Sequence, residues 1–360
     1  MPEPAPPRIA FLLPGDPGTR TGGYGYDRAI ASGLREAGWA VDLPPLPDAF
    51  PWPDAQARAT AARQVQALAD GALVVADGLA FGALPELAER HADRLRWVAL
   101  VHHPLALEAG LSAAERLQLA DSERRALACA RVVIVTSAAT ARALAAYGVP
   151  AGRVHVVPPG TVPVAAAPVA RPAGQPLQLL CVATLTPRKG HALLIEALAG
   201  LHDRPWTLHC AGSTTRDAGT TAAVRRLLQA HGLAARVHLH GELADADLQA
   251  LYRRADAAVL ATSFEGYGMA LAEAMAHGLP VLSTTAGAVP DLVPPEAGLL
   301  VPPGDAAALR QALEALLDDG ALRTRLAAGA RAAAAALPTW PQSVAAFAAV
   351  LARVAEQGVR

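Results

Sequence analysis

Short apolar runs that end in Gly, Pro or Ser alternate along this chain with amphipathic segments of 10 to 20 residues. That alternation is the pattern of βαβ units around parallel sheets, and it constrains the fold more than any other feature. The runs form two sets. The first covers 8–14 (RIAFLLP), 40–43, 72–76 (ALVVA), 97–102 (WVALVH), 132–136 (VVIVT) and 154–157. The second covers 177–183 (LQLLCVA), 207–211, 236–240 (RVHLH), 257–261 (AAVLA), 280–284 and 298–301. Between them, residues 158–176 are dense in Pro and carry neither a helical nor a strand period, which reads as a linker.

A chain of 360 residues exceeds one ordinary core, so two α/β domains follow. The expected layout is a Rossmann-like domain over 1–160, a linker over 161–176 and a second Rossmann-like domain over 177–339. A terminal helix from about 340 to 360 could pack on either domain, and sequence spacing alone does not choose. Two such domains facing each other create a cleft, with ligands beyond the carboxyl ends of the strands.

Charge and cysteine content narrow the function. A net charge of −1 gives no electrostatic reason to expect nucleic acid or an anionic membrane, so small-molecule chemistry is the expectation. Membrane association is not indicated: no apolar run approaches about 18 residues. The start, MPEPAPPR, lacks the layout of a signal peptide. Cys129, Cys181 and Cys210 form no CxxC pair and lie in apolar contexts, which suits a reducing cytoplasm.

Three stretches could hold an anion. After the first run, Gly22, Gly23 and Gly25 flank Tyr24 ahead of a helix with Ile30, Leu34 and Ala37 on one face. Glycines there expose amides at a helix N-terminus, although the same turn also simply joins strand to helix. Arg188 and Lys189 precede a helix over 191–198, where the helix dipole disfavours cations; either a phosphate offsets them or they extend into solvent. The third stretch is SFEGYGMALAEAMAHGLPV, residues 263–281. Gly266 and Gly268 around Tyr267, with Met269 opening the helix, let amides converge on a phosphate. Glu273 is the one formal charge on that apolar helix. A buried carboxylate requires hydrogen bonds, either from the vicinal hydroxyls of a ribose or from a backbone N–H or Arg.

Together these residues resemble the family 4 glycosyltransferases, across nearly the whole chain. The most specific match is Glu265, seven residues, then Glu273 within SFEGYGMALAEAMAHGLPVLSTTAGAVPDLV. The resemblance implies the glycosyltransferase-B fold of two facing Rossmann-like domains, and LPTWPQSVAAFAAVL resembles the family's terminal helix that crosses back to the first of them. It also implies transfer of a hexose from a nucleotide-diphosphate sugar to an acceptor hydroxyl, with retained anomeric configuration and no metal or other cofactor. It places Glu265 on the donor sugar, the loop amides on sugar and phosphates, and Glu273 on the ribose. TGGYGYDRAIASGLREAGW matches the amino-terminal glycine loop, and ALVHHPLALE matches the segment with an active-site His, mapped to His102 with His103 as the alternative. Where the family's common form has Arg, this chain has Thr184, so Arg188 beside Lys189 is the candidate for the missing guanidinium. The loop at Gly241, Glu242 and Leu243 is where the donor base is sought.

Two patterns invite other readings. Asp245–Ala246–Asp247 resembles a metal-binding DxD, but helix capping is the expected role. His238 and His240 share one strand face, without a third ligand at useful spacing, and are read as ordinary strand histidines. The rival functions are a nucleotide-sugar epimerase of the same architecture and a non-catalytic sugar-nucleotide-binding protein. The acceptor is not encoded in any readable motif.

Overall fold

The computed structural model describes residues 6–164 and 175–356; residues 165–174 of the expected linker lie outside the described residues. The chain divides into two compact units, one of Met1–Gly160 with Pro338–Arg360 and one of Thr161–Leu337.

In the first unit the strands are β1 (Arg8–Pro14), β2 (Ala40–Asp42), β3 (Pro45–Leu46), β4 (Leu73–Asp77), β5 (Arg96–Val101), β6 (Val132–Val135) and β7 (Val154–Val156). They form a parallel sheet in the order β2-β1-β4-β5-β6-β7, with β3 beside β1. β4 and β6 are buried at every residue, because helices cover both faces of a parallel sheet. That is why LVVAD and VVIV are continuous apolar runs rather than alternating ones. The two-residue β3 was not expected from the proline-rich LPPLPDAF. Proline still fixes an extended φ and offers its carbonyl, and Gly15 N–H donates to Leu46 O at 3.0 Å.

The helix Trp340–Glu356 belongs to this unit and buries Val344, Phe347, Val350, Leu351 and Val354, a stripe at helical spacing. It packs on the helix Gly22–Glu36. A Cβ on Gly33 would fall near 2.4 Å from Val344 Cγ2, so the absence of a side chain there lets the two helices meet. By length and composition Gly320–Glu356 could cross a membrane, which the absence of long apolar runs did not lead us to expect. The stretch is two separate helices, Gly320–Ala335 and Trp340–Glu356, broken near Pro338, and they belong to different units.

In the second unit β8 (Leu177–Val182), β9 (Trp206–Ala211), β10 (Val237–Gly241), β11 (Ala257–Val259), β12 (Val281–Thr284) and β13 (Gly298–Val301) form a parallel sheet in the order β10-β9-β8-β11-β12-β13. Its core includes Leu179, Leu180, Leu208, Val259, Met275 and Leu282. β11 stops two residues short of the apolar run that contains it. Its neighbour β8 has by then turned away, and the 3-10 turn Pro187–Lys189 takes over, with Ser263 N–H donating to Arg188 O at 2.8 Å.

In both sheets chain order reverses in the middle. From β1 the chain builds outward to β2 and then returns to β4 on the other side; from β8 it builds to β9 and β10, then returns to β11. Such switch points leave a crevice beyond the carboxyl ends of the two central strands, where doubly wound sheets bind ligands.

Candidate functional site

At the first switch point, the helix after β1, the end of β4 and the loop after β5 each supply one side chain. His102 Nε2 lies 3.0 Å from Asp27 Oδ1 and 3.4 Å from Asp77 Oδ2. Asp77 also accepts from Leu79 N–H at 2.9 Å, which fixes its carboxylate at the start of the next helix. Tyr26 meets the imidazole edge-on at 5.4 Å and donates its hydroxyl to Val157 O at 3.0 Å. The backbone of His102 is held too, because its carbonyl accepts from Thr136 and Thr140 hydroxyls, both at 3.3 Å.

Two buried carboxylates facing one ring nitrogen favour imidazolium. Burial works against the charge, but the Asp27 carboxylate and its hydrogen bond, aided by Asp77, outweigh it and hold His102 up at about 10. Asp27 is raised to about 6, chiefly by burial, against the opposing pull of His102. A divalent cation could use the same three ligand atoms, which lie within 4.8 Å of one another. With Nε2 on both carboxylates, a proton accounts for the arrangement without one.

Of the candidates expected here, Gly23 and His102 are together: a Cβ on Gly23 would lie 3.5 Å from His102 Cδ2. His103 turns to Glu108, Nε2 to Oε2 at 3.3 Å, and does not join the cluster. The glycines do not precede the helix as expected. The helix opens at Gly22 itself, after an N-cap Thr21 whose side chain makes no cap bond, so Gly22, Gly23 and Tyr24 form the first turn. The first amides of a helix have no i−4 carbonyl within it, which is what makes a helix start a place for an anion. Tyr24 is pinned by its hydroxyl to Pro14 O at 2.6 Å. Asp27 and Asp77 were missed. Their signal was a carboxylate on an otherwise apolar helix face and another closing a fully apolar strand, the anomaly that drew notice at Glu273.

At the second switch point, Lys189 follows β8 and Glu265 follows β11. Lys189 Nζ donates to Glu265 Oε1 at 2.6 Å, and Arg188 Nη1 lies 3.8 Å from the same oxygen while donating to Phe264 O at 2.8 Å. Glu265 is 5% exposed. Burial would raise its carboxyl, but Lys189 and then Arg188 hold it below the usual value. The cations at this helix start are therefore offset inside the protein, not by solvent as one sequence reading had it. Gly190 makes the approach possible: its φ is +68°, and a Cβ there would sit 1.9 Å from Ala261 O.

Behind this pair runs the loop Gly266–Tyr267–Gly268 and the helix Met269–Ala276, whose N-cap Gly268 has φ 100° and no side-chain cap. Tyr267's hydroxyl is buried without a hydrogen-bond partner. Glu273, expected to be buried, is half-buried, and Tyr252 donates to its Oε2 at 3.0 Å. Among the described residues no cation or backbone amide pairs with it. Burial raises its carboxyl, opposed by that hydrogen bond. Tyr252 itself gave no sequence signal beyond an apolar position on a helix.

The remaining donor-side candidates line up along the sheet's carboxyl edge. Ala183 N–H donates to Ala211 O and Gly212 N–H to Gly241 O, both at 2.8 Å, so Thr184 and Gly241 stand one strand apart on either side of Gly212, with Leu243 just beyond.

One expectation is corrected and a second is extended. The helix Asp245–Arg254 has Ala244 as N-cap and no side-chain cap bond; Asp245 and Asp247 sit in its first turn, where they suit the dipole but do not cap. His238 and His240 do have a third neighbour. His209, from β9, stacks on both at 5.2 Å and shares a 3.0 Å hydrogen bond with His240. Cross-strand adjacency brings it in, which one-dimensional spacing could not show.

With this geometry in view, each unit matches a known family. Residues 12–160 match the family described as "Glycosyl transferase 4-like domain", and residues 176–319 match "Glycosyl transferases group 1". The chain belongs to the family 4 glycosyltransferases. It is 34% identical over 230 residues to D-inositol 3-phosphate glycosyltransferase of Xylanimonas cellulosilytica, covering 59% of this chain and 54% of that protein. It is 30% identical over 278 residues to MMP alpha-(1->4)-mannosyltransferase of Mycolicibacterium hassiacum, covering 72% of this chain and 66% of that protein. The chain thus spans between about half and two thirds of the length of these curated relatives. Its fold is that of sucrose-phosphate synthase from Thermosynechococcus elongatus, with TM-score 0.82, 24% identity and coverage of 97% of this chain and 99% of that one. HepE from Anabaena, solved in complex with UDP and glucose, aligns with TM-score 0.76, 20% identity and coverage of 96% of this chain and 99% of that one. The fold class is accordingly that of the glycosyltransferase-B proteins, as the sequence resemblance implied.

Proposed function

We propose that this chain moves a hexose from a nucleoside-diphosphate sugar to an acceptor hydroxyl, with retention and without a metal in the transfer step. The observation that carries the reading is the Lys189–Glu265 pair, at 2.6 Å, flanked by Arg188 at the switch point of the second sheet. Departure of a nucleoside diphosphate chiefly requires positive charge and amide dipoles where negative charge develops. Lys189 and Arg188 supply the charge, and the amides of Gly266, Tyr267, Gly268 and Met269 supply the dipoles. Glu265 orients the hexose and Glu273 accepts from the ribose hydroxyls, with Tyr252 holding one of its oxygens. Thr184, Gly241 and Leu243 border the place for the nucleoside.

On the first unit, His102 as imidazolium is a proton-bearing donor for a sugar hydroxyl or phosphate oxygen, beside the helix start at Gly22 and Gly23. His103 borders the acceptor. In the transfer, the anomeric C1–O bond to the diphosphate breaks and the acceptor oxygen bonds to C1. The acceptor proton passes to the departing phosphate oxygen. HepE's complex with UDP and glucose supports a uridine or related donor.

The test is incubation with a panel of UDP, GDP and ADP sugars, with and without cell extract as acceptor, following nucleotide release. Release that depends on one donor and is abolished in Lys189→Ala supports the reading. Epimerised sugar without nucleotide release, or tight donor binding with neither product, overturns it.

A further inference from the structure

The core of the second unit contains a cluster that the donor chemistry does not use. Cys181 on β8 and Cys210 on β9 are direct register partners on adjacent parallel strands, and His191 opens the helix His191–Ala199. All three are buried, at 1%, 2% and 2% exposure. One ligand atom from each lies within 4.8 Å of the others, and Cys181 Sγ is 3.6 Å from His191 Nε2. The imidazole has no better partner: its Nδ1 is buried with no hydrogen bond. A polar ring held in an apolar core by one weak sulfur contact requires an explanation, and an ion is one of the few available.

We propose that Cys181 Sγ, Cys210 Sγ and one His191 ring nitrogen bind a zinc ion that ties β8, β9 and the start of the helix His191–Ala199 together. The ligand types are right, since Zn2+ takes thiolate and imidazole, and three side chains leave the fourth tetrahedral position to a water or another small ligand. The spacing fits as well. With Zn–S about 2.3 Å and Zn–N about 2.0 Å, tetrahedral geometry puts S and N about 3.5 Å apart, close to the distance present here. Charge selects zinc over a monovalent metal: binding releases one proton from each thiol, and two thiolates with Zn2+ sum to zero. A neutral centre is the form that a low-dielectric core tolerates. Lys189 lies two residues before His191, across the turn at Gly190, so the ion would fix the start of the helix that carries the phosphate-facing cation.

The test is metal content of the full chain expressed in zinc-supplemented medium, after dialysis against a chelator. About one zinc per chain is expected, falling to near zero in Cys181→Ala and in Cys210→Ala, and staying at about one in Cys129→Ser, whose thiol lies in the first unit. Chain produced with Co2+ should show thiolate-to-cobalt charge transfer in the near ultraviolet and tetrahedral d–d bands. These readings need no catalytic activity, so they stand apart from the donor assignment. Wild-type chain without bound zinc and without cobalt bands, or a Cys181–Cys210 disulfide in the isolated protein, would overturn the proposal even if the alanine variants fail to fold.

Discussion

Replacing Asp27 with Asn isolates what holds His102 in its charged form. Asp27 Oδ1 is 3.0 Å from Nε2. At an effective dielectric of about 20, a charge pair at that distance is worth about 5 kcal/mol, equivalent to at most about 4 pH units. The full amount is not lost, because Asp77 stays at 3.4 Å and the Asn carbonyl can still accept from Nε2. The expected outcome is a fall in the His102 value from about 10 by about 2 units. The assay is a histidine ring titration by NMR, with the resonance assigned by its disappearance in His102→Gln. Stability gives an independent reading. A folded-state value raised above 6.5 contributes stability that is fully present below 6.5 and is lost as pH rises through about 10. The wild-type chain should therefore lose more melting temperature than the Asn variant between neutral pH and pH 10. A wild-type His102 titrating near 6.5, or one unmoved by the substitution, would refute the imidazolium argument.

Three further outcomes follow from the second unit. Glu273→Gln keeps an acceptor for the Tyr252 hydroxyl, so urea midpoints should shift by less than about 1 kcal/mol while UDP affinity, by calorimetry, weakens about tenfold. Lys189→Met leaves the buried Glu265 with only Arg188 nearby and should cost about 3 kcal/mol; adding Glu265→Gln should recover most of that stability in a denaturant cycle but none of the donor turnover. Gly190→Ala combines a φ of +68° with a Cβ placed 1.9 Å from Ala261 O, and should lower the melting temperature while reducing turnover through displacement of Lys189.

Both sheets were legible because buried parallel strands leave uninterrupted apolar runs, and eleven of the twelve runs coincide with observed strands to within about one residue at each end. The exception, at 257–261, ends early because a turn, not a strand, lies beside it. The glycine loop of the first unit was found but misplaced, since glycine's low helix propensity argues against a helix beginning at Gly22. Lys189, Glu265 and Glu273 stood out as charges in apolar surroundings. Tyr252 and His209 did not, because each matters through a partner on a different strand or helix, and Asp27 and Asp77, though they too are charges in apolar surroundings, acquire their role only by meeting at His102. A contact between the end of β4 and the helix after β1 depends on strand order, and strand order is not written as a period in the sequence.

The Lys189–Glu265 pair bears on whether a lysine already neutralised by the protein can serve a diphosphate. An ammonium carries three N–H donors, and Glu265 takes one, at 2.6 Å. Two remain for phosphate oxygens, and Arg188, Lys189 and Glu265 together still sum to one positive charge. Breaking the pair is therefore unnecessary for donor binding. What the pair contributes is position: a free lysine loses about 2 kcal/mol of rotamer entropy on engaging a ligand, and here Glu265 has already imposed most of that order. The same carboxylate is thereby anchored, so an acid meant to meet sugar hydroxyls and a cation meant to meet phosphate hold each other in place before either ligand group arrives. Separate deletion of either side chain should then harm binding of both halves of the donor. UDP, which lacks the hexose, should bind more weakly to Glu265→Gln than to the wild-type chain, although on this reading Glu265 touches no part of it.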